Sequence, residues 1–309
     1  MSCWHELVRR VEFGEPVITV TSAKELAKQV ATAKAAGKKV AFVPTMGALH
    51  EGHLSLIKLA QQKADFVVAS IFVNPLQFGK NEDFDRYPRT LEADAQKLSS
   101  QNTDLLFAPS VDEIYPALTG GEEAKPTKQA GPIGAVLEGA ARPGHFDGML
   151  TVVARLFDLV QPNIAIFGAK DAQQLFLIRR MAVADFSGLE IVEAPTVREL
   201  GGLAMSSRNA YLSESEHDVA EKIFRALRLA RDAASSVNAA LQTAQEQLLA
   251  LAENGTRSSS SPEAKLDYVS LVDAETFEPL DEDFHGRALL LVAVVIGKTR
   301  LIDNIEIIF

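Results

Sequence analysis

Val40-Ala41-Phe42-Val43-Pro44-Thr45-Met46-Gly47-Ala48-Leu49-His50-Glu51-Gly52-His53, running on into Leu54-Ser55-Leu56-Ile57-Lys58-Leu59-Ala60, reads as a buried strand, a glycine turn and an amphipathic helix. The apolar run 40–43, ended by Pro44 and Gly47, suits a strand covered on both faces. The same unit recurs. Strand-like runs at 66–73, 104–108, 164–167 and 189–192 alternate with helical runs at 90–99, 147–160 and 171–184. Upstream, residues 22–37 open on a Ser22/Glu25 capping box and stop at Gly37, which marks another helix. Such alternation specifies an α/β fold, a parallel sheet flanked by helices, with ligands beyond the C-terminal ends of the strands.

After residue 195 the alternation stops. Residues 215–253 form a helical stretch with Val219, Ile223, Leu227 and Ala230 on one face. Gly255-Thr256-Arg257 and the serines at 258–261 read as a flexible linker, and strand-like runs follow at 266–272, 288–296 and 300–308. The expected organisation is a first domain over 1–195 and a smaller α+β domain over 196–309. Between 116 and 148, 11 of 33 residues are Gly or Pro, the texture of a functional loop. That loop and the second domain, swinging on a hinge near 196–202, are expected to close over a site.

Composition excludes several classes. Of 309 residues, 47% are hydrophobic and 23% charged, as in a folded protein rather than a disordered one. The net charge of −10 argues against a basic nucleic-acid surface but leaves room for a local cationic pocket. A single cysteine, Cys3, permits no internal disulfide. The longest apolar run, 288–296, is far short of the ~20 residues that span a bilayer. Glu6, Glu12 and Glu15 interrupt the start, so no secretory leader is read there. The expected setting is the cytoplasm.

The chemistry points first to His50 and His53. They follow what reads as the first strand of the sheet and enter a helix whose start offers free N–H groups and the positive end of its dipole to an anion. They are flanked by Gly47 and Gly52, which allow close approach of a ligand. Imidazole N–H groups there can hold phosphate oxygens as charge builds up. A metal site is the weaker reading, because no cysteine cluster or zinc-type spacing accompanies the pair. Gly297-Lys298-Thr299 mimics the end of a phosphate loop, but Val292 stands where glycine is required.

His50-Glu51-Gly52-His53 fits the His-x-Gly-His signature of the nucleotidylyltransferase superfamily, and the run 44–53 resembles the pantoate–β-alanine ligase family. Further strings agree in order: Ser70-Ile71-Phe72-Val73-Asn74-Pro75-Leu76-Gln77-Phe78-Gly79, Tyr87-Pro88-Arg89-Thr90 and Leu137-Glu138-Gly139. His145-Phe146-Asp147-Gly148, Phe167-Gly168-Ala169-Lys170-Asp171 with Gln173-Gln174, and Met205-Ser206-Ser207-Arg208-Asn209 complete the match. The resemblance implies a Rossmann-like first domain and ATP-dependent ligation through an acyl-adenylate. It implies catalytic roles for His50, His53, Lys170 and Arg208, with His53 a proton donor. ATP contacts are implied at Met46, Gly47, Ala48, Leu49, His50, Glu51, Gly52 and His53. Others are implied at Gly168, Ala169, Lys170, Asp171, Val197, Met205, Ser206, Ser207 and Arg208. Gln77, Gln174 and Asn74 would meet pantoate and β-alanine. Magnesium is expected with ATP, with no ligands assigned; Asp83, Asp85 and Asp94 read as solvated acids. Neither nucleic acid nor membrane is expected as a partner, and the family implies a homodimer. Ala169 departs from the family, where glutamate is common between Gly and Lys.

The rival readings are another nucleotidyl transfer, a synthetase relative acting on tRNA, and an inactive nucleotide-binding module. The uncharged Gln77 and Gln174, the acidic chain, and the presence of His53, Lys170 and Arg208 speak against the three in turn.

Overall fold

The computed structural model describes residues 16–79, 82, 84–116, 125–257 and 262–309. Cys3 and the N-terminal segment, Asp83, most of the 119–128 insertion and the serines at 258–261 lie outside the described residues.

The first unit is a six-stranded parallel sheet, β1 Ile18–Val20, β2 Val40–Thr45, β3 Phe66–Ile71, β4 Leu105–Phe107, β5 Ile164–Gly168 and β6 Glu190–Ala194, in the order β1-β4-β3-β2-β5-β6. Its helices are α1 Ala23–Ala35, α2 Glu51–Lys63, α3 Leu91–Ser100, α4 Val111–Ile114, α5 Glu138–Ala141, α6 His145–Val160 and α7 Ala172–Asp185. Strand periodicity divides the core in two. Val40 and Phe42 face one layer with Val68 and Phe107, while Ala41 and Val43 face the other with Val67 and Ile166. Residues 40–43 are fully buried, as an all-apolar strand demands.

β2 pairs with β3 on one side and β5 on the other, so strand order reverses around it. The crevice beyond such a switch point is where α/β sheets bind ligands. Three connections meet there: Met46–His50 after β2, Asn74–Gln77 after β3, and Ala169–Asp171 after β5.

The second unit holds α8 Glu214–Asp232, α9 Val237–Arg257 and an antiparallel sheet of β7 Ala264–Asp273, β8 Arg287–Ile296 and β9 Thr299–Ile308. It has its own core, in which Ile223, Leu227 and Ala230 pack against Leu290, Val292 and Val294.

Four expectations are corrected. The strand at 40–45 is not the first of the sheet, since β1 precedes it as a short edge strand. The helical stretch at 215–253 is two helices, broken where Ser236 caps the second through Ala239 N–H (3.2 Å). Gly255-Thr256-Arg257 continue α9 instead of opening a linker. The run 132–148 is built rather than loose, with a 3-10 turn at Pro132–Ala135, then α5 and the first turn of α6.

Candidate active site

His50 is the N-cap of α2 rather than a helical residue, and its extended backbone lets its ring fold over the first turn. Its Nδ1 accepts from Gly52 N–H at 3.1 Å, and His53 Nδ1 accepts from His50 N–H at 3.3 Å. The two rings lie 4.1 Å apart. Both Nδ1 atoms are acceptors, so both neutral rings carry their proton on Nε2. Burial first, and then the charge of Lys170, lowers His50 to a pKa of about 4. Burial and then the neighbouring His50 ring lower His53 to about 3. The pair is therefore neutral at physiological pH, with two N–H donors of fixed sense. The backbone N–H groups of His50 and Gly52 are taken up in making it, so the free N–H groups expected at this helix start are reduced by two. A Cβ on Gly52 would stand 2.8 Å from the His50 ring, which explains the glycine between the histidines.

Behind the pair, Asp94 of α3 is fully buried. It accepts from Ala48 N–H (2.9 Å), Leu49 N–H (2.8 Å) and the Thr90 hydroxyl (3.1 Å). Gly47 and Ala48 both take positive φ here, 84° and 50°, and Asp94 holds them in that turn. The reading of Asp94 as a solvated acid is thus corrected; Asp85 is exposed. Leu49 turns its side chain into the core, and its carbonyl accepts from Lys97 Nζ at 2.5 Å. Glu51 is exposed and Met46 lies over Gln77.

After β3, Asn74 and Gln77 are both buried. The backbone oxygen of Gln77 accepts from His145 Nδ1 (2.8 Å) and from Arg142 (3.3 Å). Burial, with Arg142 close by, brings His145 down to about 4, so its Nε2 is an open acceptor for Arg142 (3.0 Å). Arg142 also pairs with Glu82 (2.6 Å), whose carboxyl stays below its usual range although burial alone would raise it. Sequence reading quoted the His145 string without a role and left Arg142 and Glu82 out.

After β5, Gly168 ends the strand. Ala169 N–H donates to Ala194 O (2.8 Å), and the carbonyls of Ala169 and Lys170 accept from Asn304 Nδ2 of β9 (3.0 and 2.8 Å). The backbone at Ala169 is thus pinned on both sides without any charged side chain at this position. Lys170 Nζ lies 3.7 Å from Asp171. Val197 O accepts from Met205 N–H (2.9 Å), which positions the turn Ser207–Tyr211, and Ser206 caps that turn. Ser207 Oγ is 3.5 Å from Tyr87 Oη. The segment expected to be a hinge is anchored: Arg198 grips Asp303 of β9 through two bonds (2.6 and 2.9 Å) and stacks on Phe224.

A cavity of ≈ 870 Å³ lies between the two units, and Lys170, Asp171, Gln174, Ser206 and Arg208 line it together with Arg142 and His145. His50, His53, Met46, Asn74 and Gln77 stand beside this wall, joined to it by the Gln77–His145 bond, and a Cβ on Gly52 would stand 3.6 Å from Met205 Cβ. Among the described residues no three acidic, imidazole or thiol side chains converge as a metal site.

A family model described as pantoate-beta-alanine ligase matches residues 18–306. The chain belongs to the pantoate-beta-alanine ligase family. It is 46% identical over 293 residues to the pantothenate synthetase of Thermobifida fusca (strain YX), covering 94% of this chain and 96% of that protein. The crystal structure of pantothenate synthetase from Thermus thermophilus superposes with a TM-score of 0.83 at 46% identity, over 94% of this chain and 99% of the other. The ligase from Francisella tularensis, complexed with β,γ ATP and β-alanine, matches with a TM-score of 0.72 at 37% identity, over 94% and 97% of the two chains. Membership makes this protein an enzyme of the ligase class, and the family's fold is the two-unit α/β architecture described above. Among the described residues, no helix is long and apolar enough to cross a membrane.

Proposed function

We propose that this ligase joins (R)-pantoate to β-alanine in two steps on one site. A pantoate carboxylate oxygen attacks the α-phosphorus of ATP, the bond to the β-phosphate oxygen breaks, and pyrophosphate leaves. The β-alanine amine then attacks the acyl carbon, forms the amide and expels AMP, and the amine proton is lost to solvent. The observation that carries this reading is the pair of neutral imidazoles whose Nδ1 atoms are tied to the backbone. Such preset Nε2–H donors stabilise charge developing on phosphate oxygens without reorganising. In-line displacement at phosphorus needs alignment and charge neutralisation above all.

Lys170 supplies a point charge and Arg208 a planar fork for the departing pyrophosphate, with Ser206 and Ser207 as hydroxyl donors. Met46, the 47–53 turn and cap, Gly168–Asp171, Val197 and Met205 frame the nucleotide. Gln77 and Gln174, supported by Asn74, recognise pantoate's carboxylate and hydroxyls without adding charge. Magnesium accompanies ATP as part of the substrate complex. The division at 195/196, a homodimeric assembly and a cytoplasmic setting complete the proposal.

Purified protein given ATP, pantoate and β-alanine is expected to yield AMP, pyrophosphate and pantothenate in equal amounts. Without β-alanine, one equivalent of pyrophosphate per active site is expected in a single burst. Formation of ADP and inorganic phosphate instead would overturn the adenylate route.

A further inference from the structure

A half-buried phenol reaches the substrate side of the crevice from behind. Tyr115, which closes α4, rests edge-on against Phe72 with ring centroids 6.2 Å apart, and its Oη donates to Asn74 Oδ1 at 2.9 Å. Burial raises this phenol above its ordinary range, so the proton stays on oxygen throughout the working pH range.

Both ends of the Asn74 amide are committed. Oδ1 also accepts from Leu76 N–H (3.2 Å), while Nδ2 donates to Gly148 O (3.1 Å) and to Gln77 Oε1 (3.2 Å). A backbone donor on one side and a backbone carbonyl on the other admit a single sense of this amide. Asn74 must then donate to Gln77, so the Gln77 carbonyl faces backward and its NH2 faces forward. Among the described residues the NH2 donates to the Met46 thioether, at 3.0 Å. Sulfur is a weak acceptor, and a carboxylate or hydroxyl oxygen would displace it readily.

We infer that Tyr115 is a positioning residue that acts through Asn74 to aim the Gln77 NH2 at the oxygens of the substrate acid. The inference rests on the reading of Gln77 as a pantoate contact. It adds a polar chain, phenol to amide to amide, that reads acceptor oxygens on one side of the crevice and leaves the nucleotide side untouched. Without the Tyr115 hydroxyl, Asn74 Oδ1 keeps the 3.2 Å bond alone, and the amide pair can rock. The ring and its contact with Phe72 survive in Tyr115→Phe, so that variant removes the hydrogen bond and little else.

The test is steady-state kinetics of Tyr115→Phe, Gln77→Ala and the double variant, with pantoate and ATP varied separately. Tyr115→Phe is expected to raise the KM for pantoate roughly three- to tenfold, the effect of one lost neutral hydrogen bond. The KM for ATP should stay within about twofold, and Tyr115→Phe should add nothing in the Gln77→Ala background. Equal effects on both substrates, or full additivity with Gln77→Ala, would assign Tyr115 a merely structural role and overturn the inference. A silent Tyr115→Phe beside an impaired Gln77→Ala overturns it too, while the pantoate reading stands. If Gln77→Ala is itself silent toward pantoate, the reading of Gln77 fails and the inference falls with it.

Discussion

The two sides of the crevice are built in opposite ways. The histidine corner is held by bonds spanning two or three residues, His50 to Gly52 and His53 to His50, with Asp94 locking the turn before them. The Met205–Arg208 side and the Lys170 backbone are held from far away. Arg198 reaches 105 residues to Asp303, and Asn304 reaches 134 residues back to the Lys170 carbonyl. A corner wired locally keeps its shape whatever the second unit does. A surface mounted on another unit's sheet moves when that sheet moves. In the proposed reaction, fixed donors at the histidine corner face hydroxyl and guanidinium groups carried by the second unit.

Breaking the local side should cost most. Asp94→Ala strands two backbone N–H groups beneath the turn, each worth ~1–3 kcal/mol when buried and unpaired. A loss of about 2–6 kcal/mol in urea unfolding is expected, with Asp94→Asn recovering part of it because one acceptor oxygen remains. No loss in either variant would mean that the turn holds itself.

His53→Ala attacks chemistry rather than folding. Loss of one preset donor to developing charge lowers rates by roughly 10²–10³. Single-turnover pyrophosphate release should fall by that factor while the urea midpoint moves little. An unchanged rate removes His53 from the first half-reaction.

The same contrast explains what could be read in advance. Short continuous apolar runs and the Ser22 and Gly37 signals are local, so most strands and helices of the first unit were visible. β1 was missed because three residues, with Ile18 half exposed, carry too little pattern. The identity of the histidine corner was legible, but not that its imidazoles cap the helix. Asp94 lies four residues before Leu98 on the buried face of α3; an acid on an apolar face was an available signal that was not taken up. Asp303 and Asn304 offered a similar one, a polar pair set between Leu301-Ile302 and Ile305. Their partners, more than a hundred residues away, could come only from the structure.

Acid offers a way to sharpen the contrast, because His50, His53 and His145 are all held neutral by burial around the crevice. In the unfolded chain each titrates near 6.5. Between pH 6.5 and about 4 the unfolded state binds protons that the folded state refuses, so stability falls as pH falls through that window. Above about 6.5 the three contribute no slope. His145→Gln keeps a donor for the Gln77 carbonyl and removes one titrating group. Between about pH 7.5 and 5.0 the parent should lose about 2 kcal/mol more than this variant in urea unfolding, from ~1.4 kcal/mol per pH unit acting below about 6.5. Equal losses would show that the folded imidazole is already charged.

The smallest effect is expected on the long-range side, from Asn304→Ala. The substitution removes both bonds that tie β9 to the Ala169 and Lys170 carbonyls, yet Lys170 and Asn304 line the cavity, so water can reach the place the amide leaves. The penalty of an unpaired buried group is therefore mostly avoided, and what is lost is the fixed place of Lys170. The expected result is a drop of about tenfold in kcat/KM for ATP, or ~1.4 kcal/mol, with pantoate's KM nearly constant. Hydrogen exchange of the free protein gives a second readout, since amides of 168–172 should exchange faster while those of 50–54 keep their protection. Faster exchange in both segments would mean that the histidine corner depends on the second unit after all, and the division between a locally wired and a remotely mounted side would fail.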